Sequence, residues 1–219
     1  MVASITEGTA FDKHGRPFRR RNHIPALCLF VALALVTGVV WIVALNQSTE
    51  VPEAAACNPP PPSSADNTAA PAALGQQVSP TEMADVMPAR LSDTKVQVLN
   101  ASGQGGQAAE VSGALRDLGF AQPTAANDSV YANSRLECQG QIRFGESGKA
   151  AAAAVWLVAP CTELFLDGRT DGSVDLAVGT EFTEFSRSDD IDAMLAGLRP
   201  DATQPADASL LTKIHGAAC

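Results

Sequence analysis

The chain has 219 residues, with 15 Lys and Arg against 24 Asp and Glu, so its formal net charge is −9 at pH 7. That balance argues against nucleic-acid binding, which needs a basic surface to neutralise phosphates. Hydrophobic residues reach 46% but aromatic ones only 5%, which excludes one dense globule as the source of the apolar content.

Residues 1–23 form a basic tail, with Lys13, Arg16, Arg19, Arg20 and Arg21 against Glu7 and Asp12. The next segment, 24–45, reads IPALCLFVALALVTGVVWIVAL and carries no charge. As a helix it spans roughly 33 Å, close to the hydrocarbon thickness of a bilayer. A helix also satisfies its own backbone polar groups, which lipid cannot do. The basic tail predicts a cytoplasmic N-terminus, so the rest of the chain is expected to be extracytoplasmic. Ala54-Ala55-Ala56 resembles a signal cleavage site. The apolar run is nevertheless longer than the usual 7–15-residue signal core, and the tripeptide lies well beyond it. Cys57 could suggest a lipoprotein acceptor, but it does not directly follow the apolar run. An uncleaved single-pass anchor is the expectation.

Residues 46–91 hold eight of the 14 prolines, including Pro59–Pro62. This composition buries little apolar surface and favours extended conformations, so a semi-rigid spacer is expected, with a short helix around 81–87. A folded domain is expected over 92–185. Its predicted elements are a strand at 96–99, a helix at 107–118, a strand at 141–144, a helix from Ser147 to Ala159, and strands at 162–166 and 174–178. The order β-α-β-α-β-β predicts a small two-layer α/β domain with a mostly parallel sheet. Residues 186–219 form a helical extension, with Ile191, Met194, Leu195 and Leu198 on one face.

The turn Asn100-Ala101-Ser102-Gly103-Gln104-Gly105-Gly106 follows a strand and opens a helix, with Asp128 about 20 residues on. Formally this matches a dinucleotide-binding fingerprint. The domain is too small for that fold, and glycines also serve a tight turn with close helix–strand packing. The structural reading is the better one, and no cofactor is expected. No nucleophile–base pair or metal-ligand set stands out either. His14 and His23 lie in the tail, His215 in the extension, and Asp189-Asp190 at a helix start. Nothing here nominates an enzyme.

Cys28 falls within the apolar run, leaving Cys57, Cys138, Cys161 and Cys219 beyond it. Four cysteines allow three pairings. Cys138 and Cys161 each precede a strand, so parallel strands would bring them to one end of the sheet. Cys138–Cys161 with Cys57–Cys219 is the expected pairing. Trp156 projects about 150° from the alanine and valine stripe of its helix, taken at 100° per residue. It therefore points away from the sheet. Either the extension covers it, or Trp156 with Ile191 and Leu195 contacts a partner.

The segment VQVLNASGQGGQAAEVSGALRDLGF resembles the opening of the LytR C-terminal domain family: strand, Asn-small-Ser-Gly turn, Ala-rich helix, Gly-Phe. The later run IRFGESGKAAAAAVWLVAPCTELFLDGRTDGSVDLAVGTEF is similar to the family's second half, closing on Val178, Gly179 and Phe182. The resemblance covers 93–185. It implies a non-enzymatic role in cell-envelope maintenance, with LytR-CpsA-Psr phosphotransferases as partners. A lipid or glycan ligand held in a groove is the alternative.

Overall fold

A computed structural model describes residues 23–46, 56–61 and 74–216. Most of the basic tail, much of the expected spacer and Cys219 lie outside the described residues. The chain divides into two compact units, 1–48 and 49–219.

The first unit holds one helix, α1 (Ile24–Asn46). Its window Ile24–Trp41 carries no residue buried within the protein and is long and apolar enough to cross a membrane. Large side chains such as Phe30 and Trp41 are exposed along it. A core helix of a soluble domain would instead hide one face.

The second unit is built on a six-stranded sheet. In chain order its elements are β1 (Gln76–Val78), α2 (Pro80–Met83), β2 (Lys95–Asn100), α3 (Gln107–Leu118), β3 (Thr124–Asn127), β4 (Gly140–Phe144), α4 (Lys149–Val158), β5 (Glu163–Leu166), β6 (Ser173–Val178), α5 (Asp189–Leu198) and α6 (Ser209–His215). The spatial order is β1-β5-β4-β6-β2-β3. Two β-α-β units are visible in it, β2-α3-β3 and β4-α4-β5, each with its strands parallel and adjacent. β6 joins them, running parallel to β2 and antiparallel to β4. The sheet is therefore mixed rather than mostly parallel: β1 also pairs antiparallel, with β5.

Local sequence explains most elements. Ala108, Val111, Leu115 and Leu118 line the buried face of α3, and Gly119 stops it at φ 105°, a left-handed cap that favours glycine. Ser147 does not cap α4. Residues Glu146–Gly148 form a 3-10 turn and Gly148 occupies the cap position without a side-chain bond. Ser188 does cap α5, accepting from the Ile191 amide at 3.1 Å.

The core fills the space between one sheet face and the helices. Val98, Ile142, Phe144, Leu164, Val174 and Leu176 project into it from the strands and meet α3 and α4. The expected spacer is partly domain. Gln76–Val78 adds an edge strand, and Met83 and Leu91 are fully buried in this core. Residues 124–127, where the sequence predicts no element, form the opposite edge strand.

Candidate functional site

The second sheet face is polar, and it holds the buried Asp128 and Arg143. Strand alternation sends Gln141, Arg143, Asp175 and Ala177 to this side while Ile142, Phe144, Val174 and Leu176 go to the core. Arg143 Nη1 pairs with the Asp128 carboxylate at 2.7 Å, and both side chains are almost wholly buried. Nη2 donates to Gln141 Oε1 at 2.9 Å, and Gln141 Nε2 donates to Glu163 at 3.1 Å. Asp128 also accepts from the Val130 and Tyr131 amides at 2.6 and 2.9 Å. These bonds compensate the desolvation of the pair. Arg143 lies 5.9 Å from the Tyr131 ring centroid, within cation–π range. Burial raises the Tyr131 phenol above its ordinary pKa.

A strap from the expected spacer lies over this network. Cys57 is disulfide-bonded to Cys138 across 81 residues of sequence. The Cys57 amide donates to Glu163 at 3.1 Å, and the Tyr131 hydroxyl donates to the Asn58 carbonyl at 2.8 Å. Asn58 bonds in turn to the Glu137 amide and the Arg135 carbonyl. A second ion cluster lies farther along the face, where Arg169 bridges Asp167 and Asp175 at 2.7 and 2.6 Å. Burial works against the Arg169 charge, but bonds to Asp175 and Asp167 outweigh it and raise the pKa.

The expected pairing of cysteines is thus corrected. Cys138 packs with Ala101, Tyr131, Leu136 and Ala177 on the polar face. Cys161 instead lines a depression with Val158, Ala159 and Pro160 at the end of α4, and is a free thiol. Both precede strands of one parallel pair, but they lie on different sides of the sheet. Cys57 therefore takes Cys138, and Cys219 lies outside the described residues.

Trp156, Ile191 and Leu195 are not available to a partner, since all three are buried in the core. The extension provides the cover: the Trp156 ring stacks on His215 with centroids 3.9 Å apart and planes 15° from parallel. Its indole N–H donates to the Pro160 carbonyl at 3.0 Å. Burial pushes the His215 imidazole down to about 4, and its Nδ1 has no hydrogen-bond partner.

The glycine-rich turn is consumed by its own bonds. Ser102 is fully buried, its Oγ set between Asn100 Oδ1 and Gln107 Oε1 and accepting from the Gln104 amide. Asn100 Nδ2 donates to the Gln104 carbonyl, and Gln107 Nε2 reaches the carbonyls of Gly179 and Phe182. Gly103 and Gly106 hold φ of 76° and 86°, which L side chains rarely adopt, while Gly105 has open space around it. Asp128, the acid a dinucleotide ribose would need, is bonded to Arg143 instead. The motif works as a clasp between β2, α3 and the end of β6.

Sequence reasoning missed Asn58, Tyr131, Gln141, Arg143 and Glu163. One signal was there: polar Gln141 and Arg143 alternate with Ile142 and Phe144 in a strand whose residues are all buried. Among the described residues, no group of three or more His, Cys, Asp or Glu side chains is arranged to hold a metal ion.

The family model described as LytR cell envelope-related transcriptional attenuator matches residues 93–182, from just before β2 to just beyond β6. The chain is also 65% identical, over all 219 residues and the whole of the relative, to the cell envelope integrity protein Cei of Mycobacterium tuberculosis. The chain belongs to the LytR C-terminal domain family. A crystal structure of the soluble domain of a conserved hypothetical secreted protein from Mycobacterium marinum is similar as well. It is 69% identical, covers 67% of this chain and 99% of its own, and superposes with a TM-score of 0.65. Family membership supports an envelope-related function, and α1, long and apolar enough to cross a bilayer, supports a single-pass membrane protein. The strap and the Arg143 network are the features of this LytR C-terminal domain that sequence patterning alone did not reveal.

Proposed function

We propose that this protein is a membrane-anchored, extracytoplasmic and non-enzymatic factor that maintains the cell envelope by scaffolding or regulating glycopolymer and peptidoglycan assembly. The basic tail supports a cytoplasmic N-terminus, and the cysteine cross-link supports an oxidising compartment for the domain. The observation that carries the reading is the self-pairing of the polar face. Asp128, Glu163, Asp167 and Asp175 each bond to this chain's own side chains or amides. A catalytic carboxylate needs an unoccupied side toward substrate. With these four carboxylates engaged internally, the polar face offers a surface rather than a reactive centre. LytR-CpsA-Psr phosphotransferases are the partner class the family implies.

The alternative, a lipid or glycan held in a groove, calls for an apolar cavity. The helix side of the sheet is filled, with Trp156 and Leu157 fully buried. A surface depression of about 600 Å³ is lined by Val96 and Ala121 together with Lys95, Gln97, Gln122 and Thr124. It is half open to solvent, so it would not enclose an acyl chain as a ligand cavity does.

Photo-crosslinkers placed in the full chain at exposed Glu110 on α3 and Thr124 on β3, activated in intact membranes, test this. Adducts with envelope-assembly proteins are expected. Adducts with lipid or glycan alone, or turnover by the purified chain, would overturn the proposal.

A further inference from the structure

Within residues 56–61, the strap is tied to the domain by the Cys57–Cys138 bond and by hydrogen bonds from two residues, Cys57 and Asn58. No residue of the strap is fully buried, so it gains little from apolar contact. Its hydrogen bonds each have a modest net worth, and they oppose the backbone entropy of six residues. The covalent bond decides that balance. We propose that the Cys57–Cys138 disulfide is a redox latch. A dithiol reductant opens it in the folded domain, the strap lifts from the polar face, and Asn58 guides it back on reoxidation.

The two cysteines differ in access. Cys57 is half-buried, whereas Cys138 is buried among Ala101, Tyr131, Leu136 and Ala177. An attacking thiolate therefore meets Cys57 Sγ, and Cys138 is the leaving group. That leaving thiol has an acceptor beside it. The Gly140 carbonyl lies 3.9 Å from Cys138 Sγ and 3.7 Å from Cys57 Sγ. A thiol can donate to that oxygen, but a disulfide has no S–H and cannot. Opening the bond leaves Cys138 seated on the domain with a hydrogen bond available to it. The apolar core between sheet and helices contains no strap residue, so it stays intact.

Asn58 sets the register for closure. Its Nδ2 donates to the Arg135 carbonyl at 2.9 Å, and its Oδ1 accepts from the Glu137 amide at 2.6 Å. Its own carbonyl accepts from the Tyr131 hydroxyl at 2.8 Å. Glu137 directly precedes Cys138 as Cys57 directly precedes Asn58, so docking Asn58 returns one sulfur to the other.

The opening is a two-electron reduction. One thiolate of the reductant attacks Cys57 Sγ to form a mixed disulfide, and the departing Cys138 sulfur takes up a proton. The reductant's second thiolate then attacks the reductant sulfur of that bond, and the released Cys57 sulfur is protonated in turn. The reductant leaves as a disulfide. Reclosure passes two electrons and two protons to the disulfide of a thiol-oxidising protein.

Full-length protein, purified in detergent without reductant, is titrated with dithiothreitol and followed by hydrogen exchange and alkylation. The Cys57–Cys138 bond is expected to open while β2 and β6 keep slow exchange, with the Glu137 amide quickening about tenfold. Iodoacetamide is expected to label the freed Cys57 about tenfold faster than buried Cys138. Asn58→Leu removes both side-chain bonds, and the dithiothreitol concentration at half reduction should fall about tenfold. Opening that occurs only together with fast exchange in β2 and β6 would make the bond a structural cross-link and overturn the latch. So would a Glu137 amide that stays protected in the reduced chain or in Cys57→Ser, or a Cys138 labelled as fast as Cys57. Half reduction at an unchanged concentration in Asn58→Leu overturns the guiding role.

Discussion

The two faces of the sheet are stabilised by different physics. On the helix face, Ile142, Phe144, Leu164 and Leu176 meet α3 and α4 in a continuous apolar core. The stabilisation there is non-directional and spread over many side chains. On the other face a few polar groups carry the structure: Asp128, Arg143, Gln141 and Glu163, covered by Tyr131 and the strap from Cys57. Each bond there is directional, and removing one partner strands the other in a low dielectric. The helix face therefore tolerates changes of shape in proportion to volume lost, whereas the polar face fails at single atoms.

The largest expected effect is on the polar face. Arg143→Met leaves the Asp128 carboxylate buried without its counter-charge and is expected to cost about 3–5 kcal/mol. Adding Asp128→Asn removes that charge but keeps an acceptor for the Val130 and Tyr131 amides. Most of the loss should return in denaturant unfolding of the double variant. If both variants lose the same amount, the contrast between the faces collapses. On the helix face, Trp156→Ala is expected to cost a similar 3–5 kcal/mol through cavity formation. Here no polar partner change rescues it, and only a large apolar replacement such as Trp156→Phe should recover part of the loss.

The strap gives the next effect. Its disulfide closes 81 residues, and Cys57→Ser is expected to lower stability by about 2–4 kcal/mol. Part of the loss should be local in character. Exchange protection near Tyr131 falls furthest in the variant, beyond the loss that the amides of β2 and β6 share with the whole domain. Uniform loss across the sheet would mean that the strap supports the whole domain rather than one face.

The same contrast explains what could be read in advance. α3 runs over 107–118, as its apolar spacing and Gly119 imply, because the cause is local and repeats every turn. Trp156 could be aimed by helix geometry, but its cover comes from His215, 59 positions later, which no periodicity encodes. The polar face is less legible still. Its bonds link Asp128 to Arg143 across 15 positions and Cys57 to Glu163 across 106. β3, with the small and polar sequence TAAN, has one β-branched residue, Thr124, and no aromatic, too little to mark a strand. The cysteines could be placed at one end of the sheet from strand order. Their assignment to opposite faces depended on irregular backbone just outside the strands, where alternation no longer holds.

The smallest effect is nil at neutral pH and grows in acid. His215 is buried against Trp156, with its pKa pushed down to about 4 by that burial. In the unfolded chain an imidazole titrates near 6.5. Between those values the unfolded state binds the proton and the folded state does not, so stability falls as pH drops from about 6.5 toward 4. Above that window the neutral ring costs nothing further. Below it the carboxylates take over, because the amide and hydroxyl bonds of Ser173 and Ser209 hold Asp171 and Asp207 below their ordinary values. His215→Phe keeps an aromatic ring on Trp156 and removes the titrating nitrogen. Thermal unfolding of this variant is expected to lose the slope between pH 4 and 6.5 while keeping the steeper fall in stronger acid. A slope unchanged by the substitution would place the acid sensitivity on the polar face, and would make the helix face the pH-indifferent side of the sheet.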